Sequence, residues 1–479
     1  MTKKSKFYVT TSIAYANTKP HIGYAMELIQ ADVLARYYAS KKYDTFFLTG
    51  TDEHGQKLHE AAKENDRSPQ EYVDELSQTF RELAKKLELT NNYFVRTTDE
   101  RHKKAAQKIW QACRDDIYKG NYAGLYCVGC ERFYKEDEAV EGKCPIHRTT
   151  LRQTEMESYF FRQTKYAEQI TELIKKDKLR VLPEKRKNET LAFLRNLEDI
   201  SISRPKSQLE WGVEVPGDPT HVMYVWFDAL SNYISAIGYG DDEASFNKWW
   251  PADVHIVGKD IARFHTILWP AMLLSAGLDL PKTIYVHGFI ESGGHKMSKS
   301  LGNVIDPQEV IKEYGVEAMR YYLLRYIPSD NDGDFTFERL EEVYNADLAN
   351  DLGNLVQRVA SMLTRYNDGK YEEVKVAPLK FEEKLGDLTF DQALEQIFDR
   401  VRAQNVYLEE QQPWTKIKTD QAAAVKALSQ VACEIVQIGQ SLTPFLPDTA
   451  ARIAQTFAGS KVDVGVGILF PKKDKEDEN

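Results

Sequence analysis

Residues 6–55 read KFYVTTSIAYANTKPHIGYAMELIQADVLARYYASKKYDTFFLTGTDEHG. The first eight, KFYVTTSI, gather β-branched and aromatic residues in one short run, the composition of a buried strand. A turn containing Asn17 and Pro20 follows. From His21 to Ser40 apolar residues recur at helical spacing, with Met26, Ile29, Val33 and Tyr37 on one stripe. YDTFFLTGTDEHG is a second buried strand ending in a polar loop. Strand, helix and strand in that order open a parallel α/β sheet.

The same grammar returns far downstream, in THVMYVWFDALSNYI (220–234) and DVHIVGKDIARFHTILWPAMLLSAG (253–277). Between about Asn121 and Arg204 the texture is mixed and cysteine-bearing, as expected of an insertion that interrupts the sheet. After Asp334 the chain reads as nearly all helix. Leu348, Leu352, Leu355, Val359 and Leu363 keep helical spacing, and Pro413, Pro444 and Pro447 punctuate a bundle. The tail PKKDKEDEN is expected to be disordered.

A chain of 479 residues is too long for one core and implies about two to four domains. The formal charge of −10 argues against indiscriminate nucleic-acid binding, although basic clusters occur at RHKKAAQK, PEKRKNE and HKMSKS. No apolar run approaches the roughly 18 residues of a membrane helix. The N-terminus is basic, then partly apolar, and ends in AYA, as a secretory leader does. Thr10, Thr11 and Ser12 break its apolar part, so it reads as the first strand and the expected location is cytoplasmic.

Cys127 and Cys130 form C-x-x-C, and Cys144 with His147 forms C-x-x-H. Three thiolates and one imidazole suit a tetrahedral Zn²⁺ with no open position, hence a structural site. The alternatives are a redox pair or a coincidental cluster. Cys113 and Cys433 read as core residues.

HIGY lies at a strand-to-helix junction, where unpaired N–H groups and the helix dipole favour an anion. Gly23 leaves room for a flat adenosine, and His21 can donate to a phosphate. There is no Walker A loop and no G-x-G-x-x-G. If ATP binds here, its triphosphate needs cations from elsewhere. Lys296 and Lys299 in GGHKMSKSLGN can supply them, with Gly293 and Gly294 letting that loop close late as charge builds on departing pyrophosphate. A lysine pair alone is more often a solvated basic loop.

HIGY and KMSKS together resemble the HIGH and KMSKS motifs of class I aminoacyl-tRNA synthetases. SIAYANTKPHIGY, TGTDEHGQK, ISISRPKS, YVWFDALSNYI and HIVGKDIARFH are similar to the methionyl-tRNA synthetase family in particular. The resemblance covers nearly the whole chain. It implies a Rossmann-type parallel sheet split by a zinc-knuckle insertion and followed by an all-helical bundle. The implied domains are 1–116 and 219–290 for the catalytic halves and 117–218 for the insertion. Residues 291–345 would be the KMSKS linker, 346–470 the anticodon-binding bundle and 471–479 the tail. Cys127, Cys130, Cys144 and His147 match the family's one-knuckle zinc pattern.

Carried over residue by residue, the methionine pocket comprises Ile13, Tyr15, Trp226, Ala229, Leu230, Tyr233, Ile261 and His265. Aromatic edges and one donor favour a polarisable thioether over a plain hydrocarbon. Without the family, such a cluster is more often core. Asp52 matches the carboxylate that meets the substrate ammonium. Glu27, Gly258 and Asp260 match positions near adenine and ribose, with Gly23 and Tyr24 from HIGY beside them; Lys259 and Arg204 also fall within the matched motifs. His21, Lys296 and Lys299 match the groups that serve the triphosphate of Mg²⁺-ATP. Asn354, Arg358 and Trp414 match anticodon readers, with a bundle-core role the alternative for Trp414.

Tyr24 stands where the family motif usually has its second histidine. A phenol can donate to a phosphate or pack on adenine but carries no positive charge near neutral pH, so ATP affinity is expected to shift. No appended OB-fold follows the bundle, so a monomer is expected. The implied partners are methionine, ATP and methionine tRNA. The rivals are another class I synthetase, a non-catalytic synthetase-like tRNA-binding protein and a zinc-knuckle interaction module. Enzymes for isoleucine, valine and leucine carry a larger editing insertion than residues 121–204 can hold, and cysteinyl enzymes a different cysteine layout.

Overall fold

The structure is a computed structural model that describes residues 5–127, 132–134, 136–145, 148–297 and 302–473. Two compact units emerge: Met1–Pro20 with Lys41–His287, and His21–Ser40 with Gly288–Asn479.

The first unit is built on a seven-stranded sheet. Its strands, numbered along the chain, are β1 (Lys6–Thr11), β2 (Ala14–Tyr15), β3 (Asp44–Asp52), β4 (Tyr93–Arg96), β5 (Arg180–Leu182), β6 (Val254–Gly258) and β7 (Thr283–His287). Every pairing is parallel. From β1 the sheet grows through β3 to β4 on one side and through β6 and β7 to β5 on the other. A parallel sheet is covered on both faces, so its strands are buried throughout instead of alternating. All of β6, and β1 from Phe7 onward, are buried accordingly.

β2 runs along the same edge of β3 as β1, with a break between them. At that break the Ser12 N–H donates to the Ile256 carbonyl of β6, at 2.9 Å. The strand order therefore reverses between β1 and β6, and their carboxyl ends diverge into the crevice where open α/β sheets take ligands.

Between β4 and β6 lies an antiparallel sheet of four strands, in the order Arg132–Tyr134, Ile117–Cys127, Arg152–Phe161, Ile200–Ser201. β5 lies within the same stretch of chain but joins the main sheet beside β7. The inserted segment thus contributes a strand to the sheet it interrupts.

In the second unit, helix α1 (Ile22–Ser40) is buried at every position from Tyr24 to Ala35, Glu27, Gln30 and Asp32 included. The single stripe read from the sequence understates this burial. A buried carboxylate costs roughly several kcal/mol unless it is paired. Asp32 Oδ2 accepts from Arg36 Nε at 2.7 Å and from Arg320 Nη1 at 2.8 Å. Arg320 is 0% exposed. Its other donors reach the carbonyls of Phe445 (2.7 Å) and Pro444 (3.1 Å), just past helix Gln421–Leu442. Glu317, three residues earlier on helix Val316–Arg325, accepts from the Thr449 N–H at 2.9 Å, in the first turn of helix Pro447–Thr456. A cation thus meets carbonyls at one helix end and an anion an amide at the other, each matching the local dipole.

The rest of this unit is mainly helical, as expected. Phe337–Val343 passes through a wide π-helical stretch, Tyr344–Gly353, into Asn354–Asn367. Leu348, Leu352, Leu355, Val359 and Leu363 are all buried there.

Removing the Arg320 guanidinium by Arg320→Met takes away the fully buried cation paired with Asp32 and leaves that of half-buried Arg36. The expected loss is about 3–5 kcal/mol, read as a lower urea midpoint. Arg339→Ala, which breaks the exposed pair with Glu342, is expected to cost about 0–1 kcal/mol. Equal small shifts for both would contradict a stabilising role for the buried pair.

Candidate active site

At the carboxyl ends of the first unit's strands, Tyr15 is the register partner of Asp52. Asp52 is only 6% exposed, whereas Tyr15 and Ile13 are half-buried. On β6, a Cβ at Gly258 would lie 2.8 Å from Asp260 Oδ1 and within 4 Å of the His287 ring, so a side chain here would displace the Asp260 carboxylate. Asp260 itself is exposed and Lys259 half-buried. Arg204 is buried, donating to Ser201 Oγ (2.9 Å) and the Ser203 carbonyl (2.7 Å), with its guanidinium over the Tyr224 ring.

An aromatic cluster occupies the same unit. Trp226 stacks on Phe264 at 4.1 Å and meets His265 edge-on at 5.9 Å. Tyr233 OH and His265 Nε2 are 2.7 Å apart, and His265 Nδ1 lies 3.0 Å from the Ile261 carbonyl. A carbonyl only accepts, so Nδ1 carries the proton and Nε2 accepts from the phenol. Burial holds His265 down to about 4, so the ring is neutral. Tyr233 also packs at 4.2 Å on His255. His255 Nε2 accepts from Trp269 Nε1 and its Nδ1 donates to Thr10 Oγ1; burial likewise lowers its pKa, well below the ordinary imidazole value. Ala229 and Leu230 are buried and Ile261 is half-buried, so Trp226, Ala229, Leu230, Tyr233, Ile261 and His265 share one unit.

Phe264 and His255 escaped the sequence reading, as did Asp228 and His54, whose imidazole Nδ1 donates to Asp228 Oδ2 at 2.6 Å. The signal lay in TGTDEHGQK and YVWFDALSNYI, which contain His54 and Asp228.

The phosphate-motif residues belong to the second unit. His21 is exposed and immediately precedes α1. Its Nδ1 accepts from the Gly23 N–H at 3.1 Å, which puts the neutral ring's proton on Nε2. A Cβ at residue 23 would come within 3.0 Å of that ring, so Gly23 also makes room for His21. Tyr24 and Glu27 are buried on α1. The Ile22 N–H donates to the Ile305 carbonyl at 3.1 Å, joining the start of α1 to the chain just beyond KMSKS.

Lys296 is exposed on the short strand His295–Lys296, which pairs antiparallel with Ile290–Ser292. Its ammonium lies 4.9 Å from the Phe289 ring centre. Gly293 and Gly294 have φ of 62° and 74°, as in the type I′ turn that joins hairpin strands. The Gly294 N–H donates to Asp334 Oδ1 at 2.9 Å. The glycine pair therefore closes an anchored hairpin, where the sequence reading gave it the role of a hinge. Lys299 lies outside the described residues.

Cys127, Tyr134, Cys144 and Leu151 form a separate small buried cluster. Two of the proposed zinc ligands are thus buried together; Cys130 and His147 lie outside the described residues. In the helical part, Asn354 is exposed and Arg358 half-buried on one helix. Arg358 donates to Glu409 (2.8 Å) and lies 5.2 Å from the ring centre of half-buried Trp414. Pro413, the residue before Trp414, is buried.

The His265 assignment is checked by ¹⁵N NMR. The ring is expected to stay a neutral Nδ1–H tautomer down to about pH 5. Titration near the ordinary imidazole pKa would contradict the geometry.

Residues 7–156 and 146–360 match the family described as tRNA synthetases class I (M), and residues 363–465 match the anticodon binding domain of methionyl tRNA ligase. The chain is 43% identical over 473 residues to the methionine–tRNA ligase of Thermotoga maritima, covering 94% of this chain and 74% of that protein. It is 42% identical over 476 residues to that of Brucella suis, covering 95% and 92%. Its fold is similar to a structure of Mycobacterium tuberculosis methionyl-tRNA synthetase in complex with methionyl-adenylate, with a TM-score of 0.90, 37% identity, and coverage of 98% of this chain and 97% of that one. Among the described residues no helix is long and apolar enough to cross a membrane. With its parallel sheet, helical C-terminal part and these matches, the chain belongs to the methionyl-tRNA synthetase family of class I aminoacyl-tRNA ligases.

Proposed function

We propose that the chain charges methionine tRNA in two steps. Methionine's carboxylate attacks the α-phosphorus of Mg²⁺-ATP. A new P–O bond forms as the bond to the bridging oxygen breaks, giving methionyl-adenylate and pyrophosphate. The 2′-hydroxyl at the tRNA 3′ end then attacks the mixed anhydride and releases AMP. No protein nucleophile is needed; catalysis is positioning plus charge stabilisation.

The observation that carries this reading is a buried carboxylate, Asp52, in the same unit as an uncharged aromatic cluster. Methionine presents the complementary pair: an ammonium and a neutral, polarisable thioether. Asp52 takes the ammonium. Ile13, Tyr15, Trp226, Ala229, Leu230, Tyr233, Ile261 and His265 enclose the side chain. Neutrality of His265 matters, since an imidazolium would repel the ammonium. Glu27, Gly258 and Asp260 serve adenine and ribose, with Gly23 and Tyr24 beside them.

His21 donates through Nε2 to a phosphate, and Lys296 and Lys299 stabilise the departing pyrophosphate. The hydrogen bond from Ile22 to Ile305 supports a shared role for the two motifs. Asn354, Arg358 and Trp414 read the anticodon. Residues 1–116, 117–218, 219–290, 291–345 and 346–470 are the working domains of a cytoplasmic monomer.

Cys127, Cys130, Cys144 and His147 hold one structural Zn²⁺. Burial of Cys127 with Cys144 fits that role, and such a set closes the metal to substrate.

Methionine is expected to drive ATP–pyrophosphate exchange, and leucine and cysteine are not. Failure of every amino acid would favour a non-catalytic tRNA-binding role. Lys299→Ala is expected to lower the rate of adenylate formation about 100- to 1000-fold with little change in methionine affinity. Equal losses in both would remove Lys299 from that role.

Metal analysis of dialysed protein is expected to find one zinc per chain. Cys127→Ser and Cys144→Ser should each lower that content, and Cys433→Ser should leave it unchanged. Full zinc retention in both knuckle variants would refute the site.

A further inference from the structure

Asp228 is 1% exposed and lies within a set of buried polar side chains that the proposed reaction leaves unused. Its Oδ2 accepts from His54 Nδ1 at 2.6 Å and its Oδ1 from His102 Nε2 at 2.8 Å. His54 is 3% exposed and His102 1%. The other nitrogen of His102 lies 3.0 Å from Ser235 Oγ. Burial by itself would raise the Asp228 pKa; the two imidazoles outweigh it and hold the carboxyl at about 2. An apolar residue would fill this interior at lower cost than a buried ion, so packing alone does not account for the choice.

The partners explain it. His54 is two residues beyond Asp52. Asp228 is on the short helix Val225–Ala229, which carries Trp226 and Ala229. Ser235 ends the helix Asn232–Ser235, which carries Tyr233. His102 is on Glu100–Ala112, a longer helix whose Trp110 also meets Phe227 of the helix Val225–Ala229 edge-on at 5.2 Å. Trp226 and Ala229, three apart, share one helix face, and Asp228 lies roughly opposite Trp226 on the helix wheel.

A five-residue helix has no stability of its own and takes its position from external contacts. Trp226 is held on one side by Phe264, and Asp228 on the other by two imidazoles. Trp211 covers the brace, with its Nε1–H on the Glu53 carbonyl at 2.6 Å and its ring edge-on to His54.

We propose that Asp228 is a positioning residue for amino-acid selection. Its carboxylate, shared by His54 and His102, fixes the spacing between the Asp52 strand end and the helices bearing Trp226 and Tyr233. The site thereby holds ammonium and thioether at a set separation. This rests on the assignment of Asp52 and the aromatic cluster to methionine.

The test is ATP–pyrophosphate exchange by the full chain with methionine and with norleucine, its hydrocarbon isostere. Asp228→Asn keeps the volume, but its amide offers only one acceptor oxygen for two imidazole donors. The expected result is a rise of about 10- to 100-fold in KM for methionine, with KM for ATP unchanged. The preference in kcat/KM for methionine over norleucine should fall.

Ser235→Ala, which removes the hydroxyl that meets His102 Nδ1 and the Asn232 carbonyl, should shift both quantities the same way by less. It also serves where Asp228→Asn does not fold. Unchanged selectivity in Ser235→Ala, or an equal fall for both amino acids together with a raised KM for ATP, overturns the inference. Failure of the wild-type chain to use methionine would instead overturn the functional reading beneath it.

Discussion

The reversal of strand order between β1 and β6 constrains everything else in the first unit. Neighbouring parallel strands on either side send their crossovers to opposite faces, so the carboxyl ends at the reversal are left uncovered. Ser12 spans that point by bonding to β6 while the chain moves on to pair Tyr15 with Asp52. Ile13, Tyr15, Asp52 and Gly258 thus come from strand ends or the links beside them. Trp226, Tyr233 and His265 come from short helices and a π-helical turn packed on the same core.

The second unit is governed by buried charge. Helix α1 has almost no solvated face along its middle, yet carries Asp32 there. Arg320 meets that carboxylate with one nitrogen and the carbonyls of Pro444 and Phe445 with the others. A planar guanidinium suits this better than an ammonium, because its donors lie in a fixed fork and reach separate acceptors without rotation. Glu317 makes the converse contact with the next helix. One helix therefore links α1 to the turn between two bundle helices through ionic groups at helix ends.

Buried parallel strands were legible because β-branched and aromatic residues gather in short runs, and the bundle because five residues kept helical spacing over four turns. β5 was not legible: of its three residues only Val181 is buried, too little to distinguish it from its surroundings. The full burial of α1 was hidden because Gln30 and Asp32 lie off the apolar stripe, and Arg320 is 288 residues beyond Asp32. Gly293 and Gly294 read as a hinge because glycine suits both a hinge and a tight turn; only the pairing of Ser292 with His295 selects the turn. The motifs named Asp52 and Trp226 through family likeness. Nothing local could reveal that His54 and Asp228, 174 residues apart, bind each other.

In the proposed reaction two carboxylates of the first unit, Asp52 and Asp228, have opposite duties. A site for an amino acid must offer one negative charge to the ammonium and no second one nearby to misdirect it. Asp228 meets that condition because each of its oxygens already accepts from an imidazole, which leaves both engaged. Replacing it by an apolar residue would spare the cost of burying an ion but would also release His54, and with it the chain that follows Asp52. Replacing the histidines alone would leave a buried anion with its nearest donors gone, a second attractor for the ammonium. The ion and its two partners therefore work only as a set. In the proposed reaction, the same set that holds the pocket's walls apart also keeps Asp52 as the carboxylate available to the ammonium.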